Sequence, residues 1–240
     1  MQTAEASGPP GTSEFDDVWV VIPVYNEGSV IADVVAGVLP TFPNVVCVDD
    51  GSRDDSAQHI VGTAAHLVSH PVNLGQGAAL QTGLEYALLQ DGAEYFVTFD
   101  ADGQHRVEDA AELVRAVRDG GADVALGSRF LSGTVHVPWL KRALLKTVAA
   151  LSPAARRLQL TDAHNGLRVL NRAAASQLKI TMNGMAHASE IVDYLARSEL
   201  AVTEVPVTVL YTDYSKAKGQ SLINGVNILF DLSLRSRRTP

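Results

Sequence analysis

The chain has 240 residues, of which 46% are hydrophobic, and it carries a formal net charge of -8 at pH 7. This length and composition suffice for one globular domain with a sizeable core and do not require two. The acidic balance excludes a dedicated nucleic-acid-binding protein, since no overall positive field would attract phosphates. The single cysteine, Cys47, excludes a disulfide framework and a thiolate metal site within this chain.

Residues 1–17 contain Gly, Pro, Ser and acidic residues but no apolar core of signal-peptide length. We therefore expect a disordered N-terminal tail over 1–17 and a cytoplasmic protein. No apolar run reaches the roughly 20 residues that a membrane-spanning helix needs. Residues 18–240 are predicted to form a single domain.

The first half of the chain alternates between predicted strands and predicted helices. Continuous apolar runs predict strands, and apolar residues at helical spacing predict helices. The strands are predicted at Val18–Val24, Asn44–Val48, His66–Ser69, Tyr95–Phe99 and Asp123–Gly127, and the helices at 30–38, Ser56–Ala65, Gly75–Gln90 and Val107–Arg118. Such alternation implies right-handed crossovers onto a mostly parallel sheet.

The second half of the chain is less regular. It predicts a helical stretch near Pro138–Leu151, a strand near Leu167–Asn171 and a helix near Ala188–Ser198. Together with the first half, this pattern predicts an α/β fold with a mostly parallel central sheet flanked by helices.

Polar side chains follow the first two predicted strands. Glu27 comes after the first strand, and Asp49 and Asp50 come at the end of the second. Carboxylates only accept hydrogen bonds, so they suit a ring N–H or a ribose diol. The neighbouring Gly51 and Ser52 suit a tight turn, and a helix cap is an alternative role for Ser52.

Two carboxylates, Asp100 and Asp102, stand one residue apart after the strand Tyr95–Phe99. At the carboxyl edge of a parallel sheet, such acids can meet a divalent cation and a diphosphate. The alternative is a solvated turn, since Asp-Gly commonly marks one. Further along, His105 is expected to hydrogen-bond nearby or to be a neutral surface histidine.

The segment from Asn73 to Ala79 opens a predicted helix with Gly75 and Gly77. Glycines permit close backbone approach, and a helix N-terminus favours anions. The segment is not a dinucleotide fingerprint, because Leu80 stands where a third glycine belongs. No phosphate loop with a Gly-Lys-Ser/Thr sequence is present.

Five blocks in this order resemble the family 2 glycosyltransferases of the GT-A fold, and more narrowly the dolichyl- or polyprenyl-phosphate sugar synthases. They cover roughly residues 18–130 and comprise Ile22-Pro23-Val24-Tyr25-Asn26-Glu27, Asp49-Asp50-Gly51-Ser52, Leu74-Gly75-Gln76-Gly77-Ala78-Ala79, Asp100-Ala101-Asp102-Gly103-Gln104-His105 and Gly127-Ser128-Arg129. The resemblance implies a Rossmann-like nucleotide-sugar-binding half over 18–130 and an acceptor-binding half with amphipathic helices over 131–240.

The resemblance also implies roles for individual residues. The nucleotide-sugar would be bound by Pro23, Tyr25, Glu27, Asp49, Asp50, Gly77, Asp100, Ala101, Asp102 and Arg129. Mg²⁺ or Mn²⁺ would be bound by Asp102 and Gln104, and oxygen ligands suit such hard cations. Arg129 would face phosphate, which a guanidinium binds bidentately. An exposed loop arginine is the alternative.

Two later blocks complete the resemblance. Asp162-Ala163-His164-Asn165-Gly166-Leu167-Arg168 resembles a block beside the acceptor, with Leu167 in place of an aromatic residue. Asp162 would be a base or an orienting group there, although an ionised phosphate acceptor hardly needs a base. Capping of a helix or turn is the alternative for Asp162. Residues 211–221 resemble a basic loop that closes over the phosphates, in which Lys216 and Lys218 are the candidates; a solvated loop is the alternative.

Two amphipathic segments fit work at a membrane surface. Residues 138–151 combine apolar and basic residues, and residues 222–234 precede Arg235, Arg237 and Arg238. Such segments suit the membrane interface, although helices packed on the protein's own core show the same stripe.

Together with these observations, the resemblance implies a metal-dependent transferase that moves a sugar from a nucleotide donor to polyprenyl phosphate, with a slight preference for UDP over GDP. Inversion of the anomeric carbon is implied by the resemblance alone. The catalytic residues of this transferase would be Asp102, Arg129, Asp162 and Lys218. We expect it at the inner face of the membrane, with a membrane-anchoring protein or a second copy as a candidate partner. The alternatives are a soluble saccharide or protein acceptor, and a binding protein with a vestigial nucleotide site.

Overall fold

The computed structural model of the protein describes residues 13–131 and 152–210. The predicted helix at 138–151, the loop 211–221 with Lys216 and Lys218, and the segment 222–238 lie outside the described residues. In the described part of the chain, no helix is long and apolar enough to cross a membrane.

Seven strands form one central sheet in the order β3-β2-β1-β4-β6-β5-β7. The strands are β1 (Val18–Val24), β2 (Asn44–Asp49), β3 (His66–Ser69), β4 (Tyr95–Thr98), β5 (Val124–Ser128), β6 (Arg168–Asn171) and β7 (Val202–Pro206). All neighbouring strands pair in parallel except β6, which runs antiparallel to both β4 and β5. The prediction of a mostly parallel sheet flanked by helices is therefore confirmed.

The described residues form helices on both faces of this sheet. They are α1 (Ile31–Val38), α2 (Ser56–Val61), α3 (Gln76–Leu88), α4 (Val107–Arg118), α5 (Pro153–Arg157), α6 (Arg172–Gln177) and α7 (His187–Arg197). Helices α1, α2 and α4 pack on one face, and α3, α6 and α7 pack on the other. Because both faces are covered, a strand such as β1 is apolar throughout and buried at every position.

Three short elements were not predicted: α5, α6 and β7. Helix α6 follows β6 without a loop, and its N-cap is Asn171, whose side chain accepts a hydrogen bond from the Ala174 backbone N–H. Strand β7 contains Glu204 and ends at Pro206, so its sequence lacks a continuous apolar run. Pairing with β5 supplies the stability that its sequence does not indicate.

The folded domain begins before Val18, where the predicted tail ends. Phe15 is buried and packs on Phe42, with their ring centroids 4.9 Å apart. Glu14 and Arg115 of α4 form an ion pair of 2.8 Å, and the Arg115 guanidinium also lies over the Phe15 ring. Residues 13–17 thus pack against the domain, which corrects the predicted boundary of the disordered tail.

Candidate active site

The loops after β1 and β2 are joined by hydrogen bonds at the carboxyl edge of the sheet. The Asn26 backbone N–H donates to Ser52 Oγ (2.9 Å), and the Glu27 backbone N–H donates to Ser56 Oγ (2.9 Å). Asn26 has a φ of 55°, so the chain turns sharply just after Tyr25. These contacts hold the loops after β1 and β2 together.

Of the predicted nucleoside-binding residues in these loops, Tyr25 is 39% exposed. Glu27 is half-buried, and Asp49 ends β2 with one oxygen accepting from the Ser52 backbone N–H (3.2 Å). Pro23, by contrast, lies buried inside β1, paired in register with Val48. Tyr25, Glu27 and Asp49 therefore stay candidates for nucleoside contact, whereas the Pro23 side chain packs within the fold.

Asp50 is buried, and its carboxylate hydrogen-bonds to groups within the protein. Its carboxylate accepts hydrogen bonds from the backbone N–H groups of Leu74 (2.9 Å) and Gly75 (2.7 Å). His70 Nδ1 lies 2.8 Å from Asp50 Oδ1, while His70 Nε2 lies 3.0 Å from Thr82 Oγ1. Asp50 thus holds the turn before α3, and its predicted contact with the nucleoside stays a prediction.

The glycines at the start of α3 serve close packing inside the protein. A Cβ atom at Gly77 would lie 2.0 Å from the Met182 carbonyl oxygen, and one at Gly75 would lie 2.3 Å from the Asn183 carbonyl oxygen. The Gly77 backbone N–H donates to that Asn183 oxygen (2.8 Å). Gly77 therefore packs against the segment before α7, and its predicted contact with the nucleotide stays a prediction.

Asp100 follows β4 and lies at the centre of the site. Its Oδ1 accepts from Gln76 Nε2 (3.2 Å), its Oδ2 lies 2.9 Å from His105 Nε2, and its side chain is 30% exposed. Burial raises the pKa of Asp100, but the His105 hydrogen bond and the positive charge of Arg168 outweigh burial and lower this pKa. Asp100 is thus held ionised and oriented by its neighbours. The adjacent Ala101 is buried.

Asp102 lies two residues further on, beside two other carboxylates. Both of its oxygens accept from Gln104, from the backbone N–H (3.0 Å) and from Nε2 (2.7 Å). Burial, and then the negative charges of Asp100 and Glu27, raise the pKa of Asp102. In this arrangement Gln104 orients Asp102, and the role of Gln104 as a metal ligand stays a prediction.

The acidic surroundings of Asp102 fit a divalent cation, because a cation would offset the repulsion that raises the pKa of Asp102. Among the described residues, no group of three or more His, Cys, Asp or Glu side chains is arranged to hold a metal ion. Mg²⁺ commonly binds through one or two carboxylates and completes its shell with substrate phosphates and water. The site therefore suits a cation that arrives with a diphosphate.

Arg129 and Asp162 form a bidentate ion pair. Arg129 Nε donates to Asp162 Oδ2 (2.6 Å), Arg129 Nη2 donates to Oδ1 (2.8 Å), and the Arg129 backbone N–H also donates to Oδ2 (3.1 Å). The Asp162 side chain is only 2% exposed. Although burial raises the pKa of Asp162, the hydrogen bonds and charge of Arg129 lower it below its ordinary value. Asp162 is consequently a weak base that orients a guanidinium.

Further residues of this site had no assigned role, or a different one, in the sequence. His105 is 6% exposed at its side chain and contacts Asp100, so it is not a surface histidine. Arg168 is buried, and its Nη1 has no hydrogen-bond partner among the described residues. Glu204 of β7 accepts hydrogen bonds from the loop that carries Asp162. A charged residue inside a buried or edge strand is the sequence signal that could have indicated Arg168 and Glu204.

Comparison with known proteins agrees with this architecture. Residues 19–179 match the model of glycosyl transferase family 2. The chain is 27% identical to the UDP-N-acetylglucosamine–dolichyl-phosphate N-acetylglucosaminyltransferase of Methanococcus voltae, over 90% of this chain and 94% of that protein. It is 31% identical to the polyprenol monophosphomannose synthase of Mycolicibacterium smegmatis, over 87% of this chain and 82% of that protein.

Among solved structures, the fold resembles glucosyl-3-phosphoglycerate synthase from Mycobacterium tuberculosis in complex with Mn²⁺, uridine diphosphate and glucosyl-3-phosphoglycerate. The TM-score is 0.68 at 20% identity, over 92% of this chain and 80% of that chain. This likeness confirms the GT-A fold. The family match over residues 19–179 and the 31% identity to the M. smegmatis synthase show that the chain belongs to glycosyl transferase family 2 and is a glycosyltransferase of that family.

Proposed function

We propose that this glycosyltransferase moves a sugar from a nucleotide-sugar, with UDP slightly preferred over GDP, to polyprenyl phosphate. The reaction would use Mg²⁺ or Mn²⁺ and would invert the anomeric carbon. The name of the M. voltae relative, a transferase from UDP-N-acetylglucosamine to dolichyl phosphate, supports both the donor and the acceptor class. The Mn²⁺ and uridine diphosphate named with the M. tuberculosis structure support the metal and the nucleotide.

The observation that carries the acceptor class is the ion pair between Arg129 and Asp162. An alcohol acceptor must lose a proton as it attacks, and a general base near neutral pKa serves this purpose. Asp162 has a lowered pKa and is held bidentately by Arg129, so it is poorly suited to remove that proton. A phosphate monoester is already ionised near pH 7 and needs no base.

The other candidate residues would have the following roles in the reaction. Tyr25, Glu27 and Asp49 would bind the nucleoside, and Asp102 would hold the cation against the diphosphate. The cation would supply charge neutralisation of the departing nucleoside diphosphate. Arg129, oriented by Asp162, would face phosphate, and Lys216 or Lys218 would approach the same charge from the loop 211–221. Attack by the acceptor oxygen on the sugar carbon opposite the leaving diphosphate would give inversion.

A lipid acceptor also implies a membrane surface. The amphipathic segments 138–151 and 222–234 and the basic residues Arg235, Arg237 and Arg238 would provide peripheral contact at the inner face of the membrane. We expect the protein to sediment with anionic liposomes at low salt, and substitution of these arginines by glutamate to weaken that binding. Sedimentation that neither salt nor these substitutions change would contradict the peripheral contact.

The acceptor class is tested with a matched pair of lipids in detergent, undecaprenyl phosphate and undecaprenol. Radiolabelled UDP- and GDP-sugars would be offered with each lipid in the presence of Mg²⁺ or Mn²⁺. We expect a labelled lipid from undecaprenyl phosphate and none from undecaprenol. Transfer to undecaprenol or to a soluble saccharide, with none to undecaprenyl phosphate, would refute the proposal.

A further inference from the structure

Glu204 is a carboxylate on the edge strand β7, where the β5–β7 register pairs it with Leu126. Its Oε1 accepts from the backbone N–H groups of Thr161 and Asp162, both at 2.9 Å. Its Oε2 accepts from the Thr161 backbone N–H and from Thr161 Oγ1, also at 2.9 Å. Both oxygens of Glu204 are therefore directed at two consecutive residues of one loop.

The same loop is tied to the end of β5 from the other side. Thr161 Oγ1 lies 2.6 Å from Ser128 Oγ, and Ser128 is fully buried. Asp162 then binds Arg129 through both carboxylate oxygens. Glu204 thus holds the backbone of Thr161 and Asp162, and the Asp162 side chain in turn holds the Arg129 guanidinium.

We propose that Glu204 is a positioning residue that fixes the orientation of the Arg129 guanidinium through Thr161 and Asp162. Asp162 alone does not determine where its carboxylate lies, since it stands on a loop between α5 and β6. Glu204 accepts from its backbone N–H and so anchors that loop to the sheet. The inference rests on the proposed function only in assigning Arg129 to phosphate; the geometry of the path does not depend on it.

A matched control exists at the other end of the same strand pair. Asp123, just before β5, accepts from Asn171 Nδ2 and from the Ala201 backbone N–H, each at 2.8 Å. It anchors the start of β7 as Glu204 anchors the loop, but within residues 13–131 and 152–210 no hydrogen bond connects it to Arg129. Asp123→Asn therefore measures the effect of losing a carboxylate that is only structural.

The first test needs no substrate. In a ¹H–¹⁵N spectrum, the Arg129 Nε–H signal is assigned by its loss in Arg129→Lys. We expect Glu204→Gln to shift this signal and to speed its exchange with solvent at least tenfold, because the guanidinium loses its fixed partner. Asp123→Asn should leave it unchanged. Thr161→Val removes one hydroxyl and keeps the backbone N–H groups, so we expect it to change the Arg129 signal less than Glu204→Gln does. If Glu204→Gln does not fold, Thr161→Val provides the test in a folded protein.

The second test measures transfer to undecaprenyl phosphate. We expect Glu204→Gln to lower kcat about tenfold with the donor KM within twofold, since misplacement of a catalytic group affects the reaction more than donor binding. In a protein that already carries Asp162→Asn, Glu204→Gln should lower kcat by less than a further twofold. An unchanged Arg129 signal in Glu204→Gln, or a fully additive loss of kcat, would overturn the inference. If the wild-type protein makes no lipid product, the proposed function fails, and the spectrum alone decides the role of Glu204.

Discussion

Asp50 and His70 face each other across the turn that precedes α3, with Asp50 Oδ1 2.8 Å from His70 Nδ1. The same carboxylate accepts from the backbone N–H groups of Leu74 and Gly75. Its neighbour Asp49 ends the strand and points its carboxylate toward the Ser52 turn. Two adjacent buried acids at one sheet edge thus hold different turns: Asp50 holds the turn before α3, and Asp49 holds the turn at Ser52.

Asp50→Asn should therefore reduce stability more than Asp49→Asn. The amide retains one acceptor oxygen and presents an NH₂ group to a buried donor, which we expect to cost about 1–3 kcal/mol. Asp49→Asn should leave the free energy of unfolding nearly unchanged and weaken UDP binding instead. Urea unfolding and calorimetric titration with UDP measure the two effects. A stable Asp50→Asn protein that binds UDP weakly would restore Asp50 to the nucleoside site.

Gly77 provides a second prediction, because a Cβ at this position would lie 2.0 Å from the Met182 carbonyl oxygen. Gly77→Ala should destabilise the protein by about 1–3 kcal/mol, as overpacking does, despite the better helix propensity of alanine. Gly37→Ala in α1 is the matched control, since no atom lies within 4 Å of its Cβ position. We expect the control to stabilise the protein by about 0.4–1 kcal/mol. Thermal unfolding of both variants would show the contrast, and equal shifts would contradict it.

The ion pair of Arg129 and Asp162 predicts a dependence of stability on pH. Because the folded protein lowers the pKa of Asp162, the ionised carboxylate stabilises the fold at every pH above the unfolded value of about 3.9. This contribution is lost as the pH falls below that value and through the folded pKa.

We expect the difference in unfolding free energy between the wild-type protein and Asp162→Asn to stay constant from pH 7 to about pH 5. It should shrink below about pH 4. Arg129→Met removes the cause of the lowered Asp162 pKa, so it should make the free energy of unfolding less dependent on pH in the same range. A difference that grows on acidification would contradict this reading of the pair. Urea unfolding at each pH supplies the free energies.

Much of the fold could be predicted from the sequence because several of its strands, such as β1, β2 and β5, are buried on both faces. Val18–Val24 and Val107–Arg118 have the predicted bounds, since a continuous apolar run and a regular helical stripe are local signals. His66–Ser69 also has the predicted bounds, although none of its residues is fully buried. The antiparallel direction of β6 and the presence of β7 depend on pairing between distant segments. No local pattern carries that information.

The site shows the same division between local and distant information. The sequence indicates Asp50 and Gly77 as candidates for nucleotide contact, but it cannot show which distant groups hydrogen-bond to them. His70 and the Gly75 backbone N–H hydrogen-bond to the Asp50 carboxylate. The Asn183 carbonyl oxygen, more than a hundred residues further along the chain, accepts from the Gly77 backbone N–H. The pairing of Arg129 with Asp162 likewise joins two residues that were assigned separate tasks.

We infer that Asp162 orients Arg129 and does not remove a proton from the acceptor. The most direct measurement is the rate of transfer to undecaprenyl phosphate by Asp162→Asn and by Asp102→Asn, compared with the wild-type protein. We predict a loss of about tenfold for Asp162→Asn, because asparagine still accepts from Arg129, and of about 10²- to 10³-fold for Asp102→Asn. A loss of about 10⁴-fold in Asp162→Asn, as expected for an essential base, would contradict the account.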